Sequence, residues 1–430
     1  MKRIICLVLS FAFTFSLAAC KSDNAQSSVP STVTVSEVNG DEIENVTSNM
    51  NLTDFDEDFL NFIATEKEGN YMVSPLSFRY ALGLLLAGAE GKTKTEMLTA
   101  LGVKNVDEWT AYCTKFNGFV KRFYGQLDSE ISDYNEWTKG EDESKSGGAP
   151  KRALRVANSI WKRADIEKDF TAAYKEYISK NYAAEYNTFT ESNAVKKINA
   201  WVNQKTEKLI PRLLPDNYDT DNLAVVLMNA LYFKNNWVNP FEKFATKEDD
   251  FNTKSGKKVK KEFMEQTENF AYYSDKNTQA VILPMYSGIN MAFVLGDTAD
   301  VDKKITKAQS AKVHLKIPKI DTETSFDNGE FVNFLAARGV SAAFSPQNAD
   351  FSAMIDHKIR VDDIVQKTKI KTDEEGVEAA AVTAIMTKDT AMIPTEDKPI
   401  EFIADKPFSF YIYTTCDGVT SLLFAGVISE

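Results

Sequence analysis

His314 and His357 are the only imidazoles in the 430 residues, and Cys6, Cys20, Cys113 and Cys416 are the only thiols. Metal centres and serine or cysteine nucleophile systems usually draw on imidazole as ligand or base, so the inventory argues against both. His314 falls in the alternating stretch VHLKI and His357 in the polar IDHKI, positions that read as surface or packing histidines. No HExxH, GxSxG, phosphate-binding glycine loop or CxxC is present, and the chain does not read as an enzyme. The unusual stretch is 372–407. Between Val377 and Ile393 it has no proline, glycine or aromatic residue. By propensity its EAAAVTAIM core is helical. Read with period two, Val377, Ala379, Ala381, Thr383 and Ile385 form one face, and none of them would be costly to bury.

The net charge of −12 and pI near 5.0 argue against nucleic acid as a partner. Lys2 and Arg3 precede an apolar run, Ile4 to Leu17, that is short for a membrane span and reads as an export signal over residues 1–19. Its ending, LAAC, resembles the bacterial lipoprotein signal, which implies cleavage before Cys20 and acylation of that cysteine. The expected location is therefore a bacterial membrane, as a lipid-anchored protein of the outer membrane or cell surface. Each buried methylene of the anchor would contribute roughly 0.8 kcal/mol. Residues 20–50 are Ser, Thr, Asn and Val with scattered acids, a solvated tether whose root-mean-square reach is roughly 30 Å. With Cys6 and Cys20 so assigned, Cys113 and Cys416 remain, too few for a disulfide framework.

For the remaining residues, 51–430, length alone predicts two or three domains. Leu52 to Thr65 has helical apolar spacing. Ser74 and Pro75 open a second, nearly uncharged helix by cap and first-turn logic, and the small polar Ser74 and Ser77 at its buried start need partners. Ser129 to Arg152 reads as a solvated insertion loop. RVANSIWKR reads as a strand, DFTAAYKEYISKNYAAEY as a helix, and AVKKINAWVNQKTEKLIPRLLP as a helix running to its prolines. NLAVVLMNALYFKNNW is a strand of the kind covered on both faces. Beyond Phe251, hairpins and strands dominate, with a Ser255-Gly256 turn and a helix NGEFVNFLAARG closed by Gly339. Helices gather in the first half and strands in the second, an α+β pattern.

These stretches together resemble the serpin family over essentially all of 51–430. The resemblance rests on SPLS at 74–77, INAWVNQKTEKLI at 198–210 and MNALYFKNNW at 228–237. It continues with LKIPK at 315–319, ADFS at 349–352, EEGVEAAAVTA at 374–384, FIADKPF at 402–408 and LLFAGV at 422–427. It implies a single domain of three β-sheets and about nine helices with an exposed reactive-centre loop at about 374–401, no metal and no cofactor. It further implies a suicide-substrate inhibitor. A serine protease, or sometimes a cysteine protease, cleaves the loop and is trapped as an acyl-enzyme when the loop inserts as a new central strand, an example of stored strain that is general knowledge for this fold. The hinge is then Glu374, Gly376, Val377, Glu378, Ala379, Ala380 and Ala381, and the shutter beneath the opening strands Ser74, Ser77, Asn229 and Gln366. The alternative is a non-inhibitory binding protein of the same fold on the cell surface; a charge or proline in the inserting face would favour it, and neither is present.

Two positions depart from the family pattern. Val377 stands where threonine is common, and Gln366 where a shutter histidine is common; glutamine can donate and accept, so a network with Ser74, Ser77 and Asn229 stays open to it. The resemblance implies a scissile bond about fifteen residues beyond Gly376, which puts it at Thr390-Ala391. Lys388 would attract trypsin-like proteases, and Thr390 or Met386 elastase-like or chymotrypsin-like ones. The expected partners are thus serine proteases of broad type, with cysteine proteases as a further class, met by a monomer. The lipoprotein reading has its own test. Cys20→Ser should abolish incorporation of labelled fatty acid and move the protein from the detergent phase to the aqueous phase; labelled fatty acid in the variant would contradict it.

Overall fold

The structure, a computed structural model, describes residues 50, 52–138, 150–220, 223–377, 398–416 and 419–430. The first elements are α1 (Asp54–Glu66), β1 (Tyr71–Val73), α2 (Pro75–Gly88), α3 (Gly91–Leu101) and α4 (Val106–Trp137). Thr53 closes a capping box with Asp56 at the start of α1, and the Ser74 hydroxyl accepts from the Ser77 N–H at the start of α2. Every residue of α2 except Ala87 is buried. The helix passes between two sheets, touching β15 of one and β2 and β4 of the other, strands given below. Its Arg79 is buried in an ion pair with Asp56 at 2.8 Å and lies over the rings of Phe55, Trp109 and Tyr112, which fastens α1 and α4 to it.

There follow β2 (Ala153–Arg163), α5 (Ala172–Tyr182), β3 (Glu185–Phe189), α6 (Ala194–Lys205) and β4 (Val225–Asn236). Then come β5 (Lys247–Asn252), β6 (Lys258–Ser274), β7 (Thr278–Met285), β8 (Ile289–Gly296), α7 (Val301–Thr306), β9 (Gln309–Pro318), β10 (Asp321–Phe326) and α8 (Glu330–Ala337). The last strands are β11 (Asp363–Lys371), β12 (Gly376–Val377), β13 (Ile400–Ile403), β14 (Phe408–Cys416) and β15 (Val419–Ile428). Eight α-helices thus lie among the described residues.

Six strands form one sheet in the order β10-β11-β4-β2-β3, with β12 added to β4. Nine form the other, β1-β15-β14-β8-β7-β6-β9-β13, with β5 added to β6. The larger sheet is continuous through β6, which pairs β9 along its middle and β7 near its end; the second and third sheets of the family pattern are its two halves. The main apolar cluster, from Phe59 on α1 through Phe78 and Leu85 on α2 to Leu231 on β4 and Phe410 on β14, fills the space between the sheets. A second cluster under α6 joins Ile198 and Trp201 to Val226, Met228 and Val365 on the opposite face of the smaller sheet.

Two boundaries differ from the sequence reading. Residues 129–137 belong to α4, not to a loop: their charges occupy the outer side of a long helix whose inner side carries Phe116, Phe123 and Leu127. α6 stops at Lys205, well before its prolines. Glu207 and Lys208 take left-handed backbone conformations, and the Asn199 side chain accepts from the N–H groups of Leu213 and Leu214, so the following apolar residues reach the core from a loop that imitates helical spacing. Cys113 is a free buried thiol whose pKa burial pushes up to about 12.

Gly83 on α2 tests how closely the layers pack. A Cβ there would lie 2.3 Å from the ring of fully buried Tyr182, whereas one on Gly125 of α4 would meet nothing within 4 Å. Gly83→Ala should lower stability to urea by about 1–3 kcal/mol, and Gly125→Ala should raise it by about 0.5–1 kcal/mol.

Candidate functional site at the parting of β4 and β11

The centre of the smaller sheet is incomplete. β4 and β11 run parallel and pair from Val226 with Asp363 to Ala230 with Lys367. Beyond that point the outer flanks stay paired, β4 with β2 as far as Lys234 and β11 with β10 as far as Lys371. Between them, no strand among the described residues pairs Leu231–Lys234 or Thr368–Lys371 on the inner side. β12 closes the far end. Gly376 and Val377 lie opposite Asn236 and Asn235 of β4, antiparallel, and Val377 bridges Thr372. Gly376 and Val377 are therefore docked between the two strands, with Val377 only 2% exposed and packed in the main cluster.

A short turn delivers β12. The Asp373 carboxylate accepts from the N–H groups of Glu375 and Gly376 at 2.8 and 3.1 Å. The carbonyls of Asp373, Glu374 and Glu375 accept from the Trp237 indole at 3.0 Å, the Phe241 N–H at 2.7 Å and the Trp237 N–H at 2.9 Å. Glycine at 376 is a matter of room: a Cβ would fall 2.1 Å from the Asn235 carbonyl oxygen. Three successive acids make the turn electrostatically demanding. Glu374 is buried, which works against ionisation, but the Thr246 hydroxyl at 2.6 Å and Lys319 at 2.9 Å outweigh this and hold its carboxyl below the usual range. Glu375 pairs with Lys243 at 2.9 Å. For Asp373, burial and the neighbouring acids prevail over the two N–H donors and hold the carboxyl above the usual range.

The shutter residues come together at one level of the sheet, where Asn158 on β2, Asn229 on β4 and Gln366 on β11 stand side by side, all buried. Gln366 exchanges two hydrogen bonds with the Ser74 backbone, accepting at 2.9 Å and donating at 3.1 Å, and the Ser74 hydroxyl donates to the Leu423 carbonyl at 2.7 Å. Asn229 bonds to Asn158 rather than to Gln366, and neither its amide oxygen nor the Ser77 hydroxyl finds a partner among the described residues. Thr246, Lys319 and Asn158 escaped the sequence reading. The signal for Asn158 is a polar residue in the middle of an apolar strand; the other two carry no local mark. The expected hinge residues Glu378, Ala379, Ala380 and Ala381, the scissile candidates Met386, Lys388, Thr390 and Ala391, and Cys20 lie outside the described residues.

Residues 50–430 match the family model described as Serpin (serine protease inhibitor). The chain is 30% identical to a leukocyte elastase inhibitor of Bos taurus, over 86% of this chain and 96% of that one, and 28% identical to serpin B4 of Homo sapiens, over 85% and 94%. Among solved structures it is similar to Serpin48 of the insect Tenebrio molitor (TM-score 0.69, 26% identity, 89% of this chain and 97% of that one). It is also similar to the thermophilic serpin tengpin in its native state (TM-score 0.69, 26% identity, 92% and 96%).

Hinge docking should depend on pH through Glu374. Its folded-state pKa lies below the unfolded value near 4.3, so its contribution is complete above that value and lost as pH falls through the folded one. Glu374→Gln should speed amide exchange at Trp237 and Phe241 about fivefold at pH 7, equivalent to about 1 kcal/mol, relative to the parent protein. The difference should close as pH falls through the lowered folded-state value of Glu374; a difference that persists in stronger acid would assign the effect to something other than the charge.

Proposed function

The chain belongs to the serpin family, and we propose that it is an inhibitory member, a bait that traps serine proteases by inserting its cleaved reactive loop between β4 and β11. The observation that carries this reading is the register of β12. Continued residue by residue, the pairings of Val377 with Asn235 and Thr372 assign every following loop residue one neighbour on each strand. Glu378 would stand between Lys234 and Lys371, and Ala379 between Phe233 and Ile370, both in the main cluster. Ala381 would meet Leu231 and Thr368, and Thr383 would arrive between Asn229 and Gln366, the polar level of the shutter. Ile385 would then meet Leu227 and Ile364, again in the main cluster. Glu378 would meet two lysines, Thr383 two amides, and Ala379 and Ile385 residues of the core, as insertion requires and a merely exposed loop would not.

The stroke has two stages. Glu378 to Ala381 would enter a gap where no pairing has to be broken. From Val382 to Met386 each residue would displace one of the five β4–β11 pairs and form a pair on either side. Some twelve inserted residues would form about two dozen hydrogen bonds at roughly 0.5–1.5 kcal/mol each, against the loss of those in the five displaced pairs and an ordering cost of roughly 1–2 kcal/mol per residue. Apolar burial of Ala379, Ala381 and Ile385 adds to the driving force.

Specificity is assigned to Met386, Lys388, Thr390 and Ala391: trypsin-like proteases through Lys388, elastase-like ones through Thr390. Cysteine proteases form a further candidate class. Acylation at Cys20 would place the inhibitor at the bacterial outer membrane or cell surface, as a monomer on its tether. The protein takes part in the reaction as substrate and trap, not as enzyme.

Mixed with trypsin or pancreatic elastase, the protein should give a covalent complex that survives boiling in detergent. Val377→Arg, which puts a charge where 2% exposure now holds, should remove that band and leave only cleaved protein. Complete cleavage of the parent protein by every serine and cysteine protease tried, with no such band, would leave the non-inhibitory reading.

A further inference from the structure

Three Asn-Gly pairs occur in the sequence, at 39–40, 117–118 and 328–329. The chemistry of such a pair is general. With no side chain on the glycine, its backbone nitrogen can reach the side-chain carbonyl carbon of the asparagine, one reason that asparagine is a labile residue. A new C–N bond closes a cyclic imide; the glycine nitrogen gives its proton to solvent, and the amide nitrogen takes up a proton and leaves as ammonia. Water then opens the imide at either carbonyl, so that asparagine becomes aspartate or isoaspartate and one negative charge is added. The fold must supply a glycine N–H that is not engaged, an amide able to turn, and room for the ring. Asn39-Gly40 lies outside the described residues. The other two pairs differ in all three respects.

Asn117-Gly118 is locked. Both residues lie within α4, where backbone N–H groups are committed to helical hydrogen bonds. The Asn117 amide oxygen accepts from the Tyr80 hydroxyl at 2.6 Å, and its nitrogen donates to the Asn181 carbonyl at 2.8 Å. Asn328-Gly329 is open. It forms the turn between β10 and α8, Asn328 is exposed, and no hydrogen bond among the described residues engages the Gly329 N–H. Gly329 has a φ of +77°, and a Cβ there would meet nothing within 4 Å. The one bond of the Asn328 amide is donated to the Asp327 carboxylate, at 3.3 Å.

The surroundings make an added charge consequential. The Asn328 N–H donates to the Glu330 carboxylate at 2.9 Å, and Glu330 pairs with Lys67 at 2.7 Å. Lys67 also donates to the Ser325 carbonyl at 2.9 Å and lies over the Phe326 ring. Burial and Glu330 hold the Asp327 carboxyl above the usual range, against Lys67 and Lys367. Lys367 is itself paired with Glu323 at 2.6 Å. A new carboxylate at position 328 thus faces two acids whose neighbouring lysines are already engaged. In the isoaspartate form the main chain also gains a methylene just before Gly329, whose carbonyl accepts from the Asn333 N–H at 2.8 Å to begin α8.

We propose that Asn328-Gly329 is a self-modification site, at which imide formation converts Asn328 to aspartate and isoaspartate and loosens the start of α8. It needs only the turn and its neighbours, and is independent of the inhibitory reading.

Peptide mapping by mass spectrometry of the full chain, aged in warm, mildly alkaline buffer, tests the site. The peptide holding Asn328 should gain about 1 Da and resolve into two products, one of which accepts a labelled methyl group from a protein isoaspartate methyltransferase. Its conversion should run at least about tenfold faster than that of the Asn117 peptide, which has to wait for local opening of α4. Asn328→Ser should abolish conversion there and leave the Asn117 and Asn39 peptides unchanged. Amide exchange at Asn333 should be about three- to tenfold faster in the aged chain than in the fresh one, and unaltered by ageing in Asn328→Ser. A rate at Asn328 no greater than at Asn117 would overturn the site. So would an Asn328 that persists while a free peptide of residues 322–335 is converted in the same buffer. Equal exchange at Asn333 before and after conversion would overturn the effect on α8.

Discussion

Backbone N–H and C=O groups inside a sheet have to be paired, and at the centre of the smaller sheet a run of them has no strand partner among the described residues. β4 and β11 are each anchored along their outer sides by β2 and β10, and between themselves for five residue pairs from Val226 to Ala230; then they separate, and no strand among the described residues lies between Leu231–Lys234 and Thr368–Lys371. Much of the architecture serves to hold that opening. α2 lies beneath it, and Ser74 at its N-terminus is bonded to Gln366 at the level where the paired segment runs. The docked dipeptide Gly376-Val377 and the turn before it close the upper end through Trp237 and Phe241.

The closure works because each carboxylate of the turn meets a different environment. Asp373 is satisfied by local backbone donors yet remains costly as a buried charge, Glu374 has a hydroxyl and an ammonium group, and Glu375 has Lys243 at the surface. The turn is thus stable near neutral pH through its second and third acids, in spite of its first. Lys319 extends from the end of β9 in the larger sheet, so the hinge is tied to both sheets and not only to the one it would enter.

How much of this the sequence discloses depends on how local each cause is. β4, β8, β14 and β15 are legible because a strand covered on both faces must be apolar throughout, and the start of α2 because Ser-Pro satisfies cap and first turn at once. The end of α4 is not, since SEISDYNEW places its charges outward on a helix continuing from a well-packed body. Nor is the end of α6, where Leu209, Ile210, Leu213 and Leu214 keep a helical rhythm after the helix has ended. At the site, Ser74 is legible as a small polar residue at a buried helix start, and Gln366 only through the family pattern. The docking of Val377 is not: its partner Asn235 lies far back in the chain, and a register between distant strands leaves no mark on either. The family resemblance marks Gly376 as a hinge residue, yet the contact that demands glycine there is with the Asn235 carbonyl, a steric reason visible only in three dimensions.

The four-residue opening has a kinetic meaning as well as an energetic one. A covalently held protease leaves when water reaches the acyl bond, so capture is a race between hydrolysis and travel. Four residues of antiparallel strand correspond to roughly 13 Å. In the proposed mechanism the loop would advance over that distance without parting a single β4–β11 pair, and with Gly376 and Val377 already seated it would not have to find its starting place. An inhibitor built this way would begin the race from a moving start.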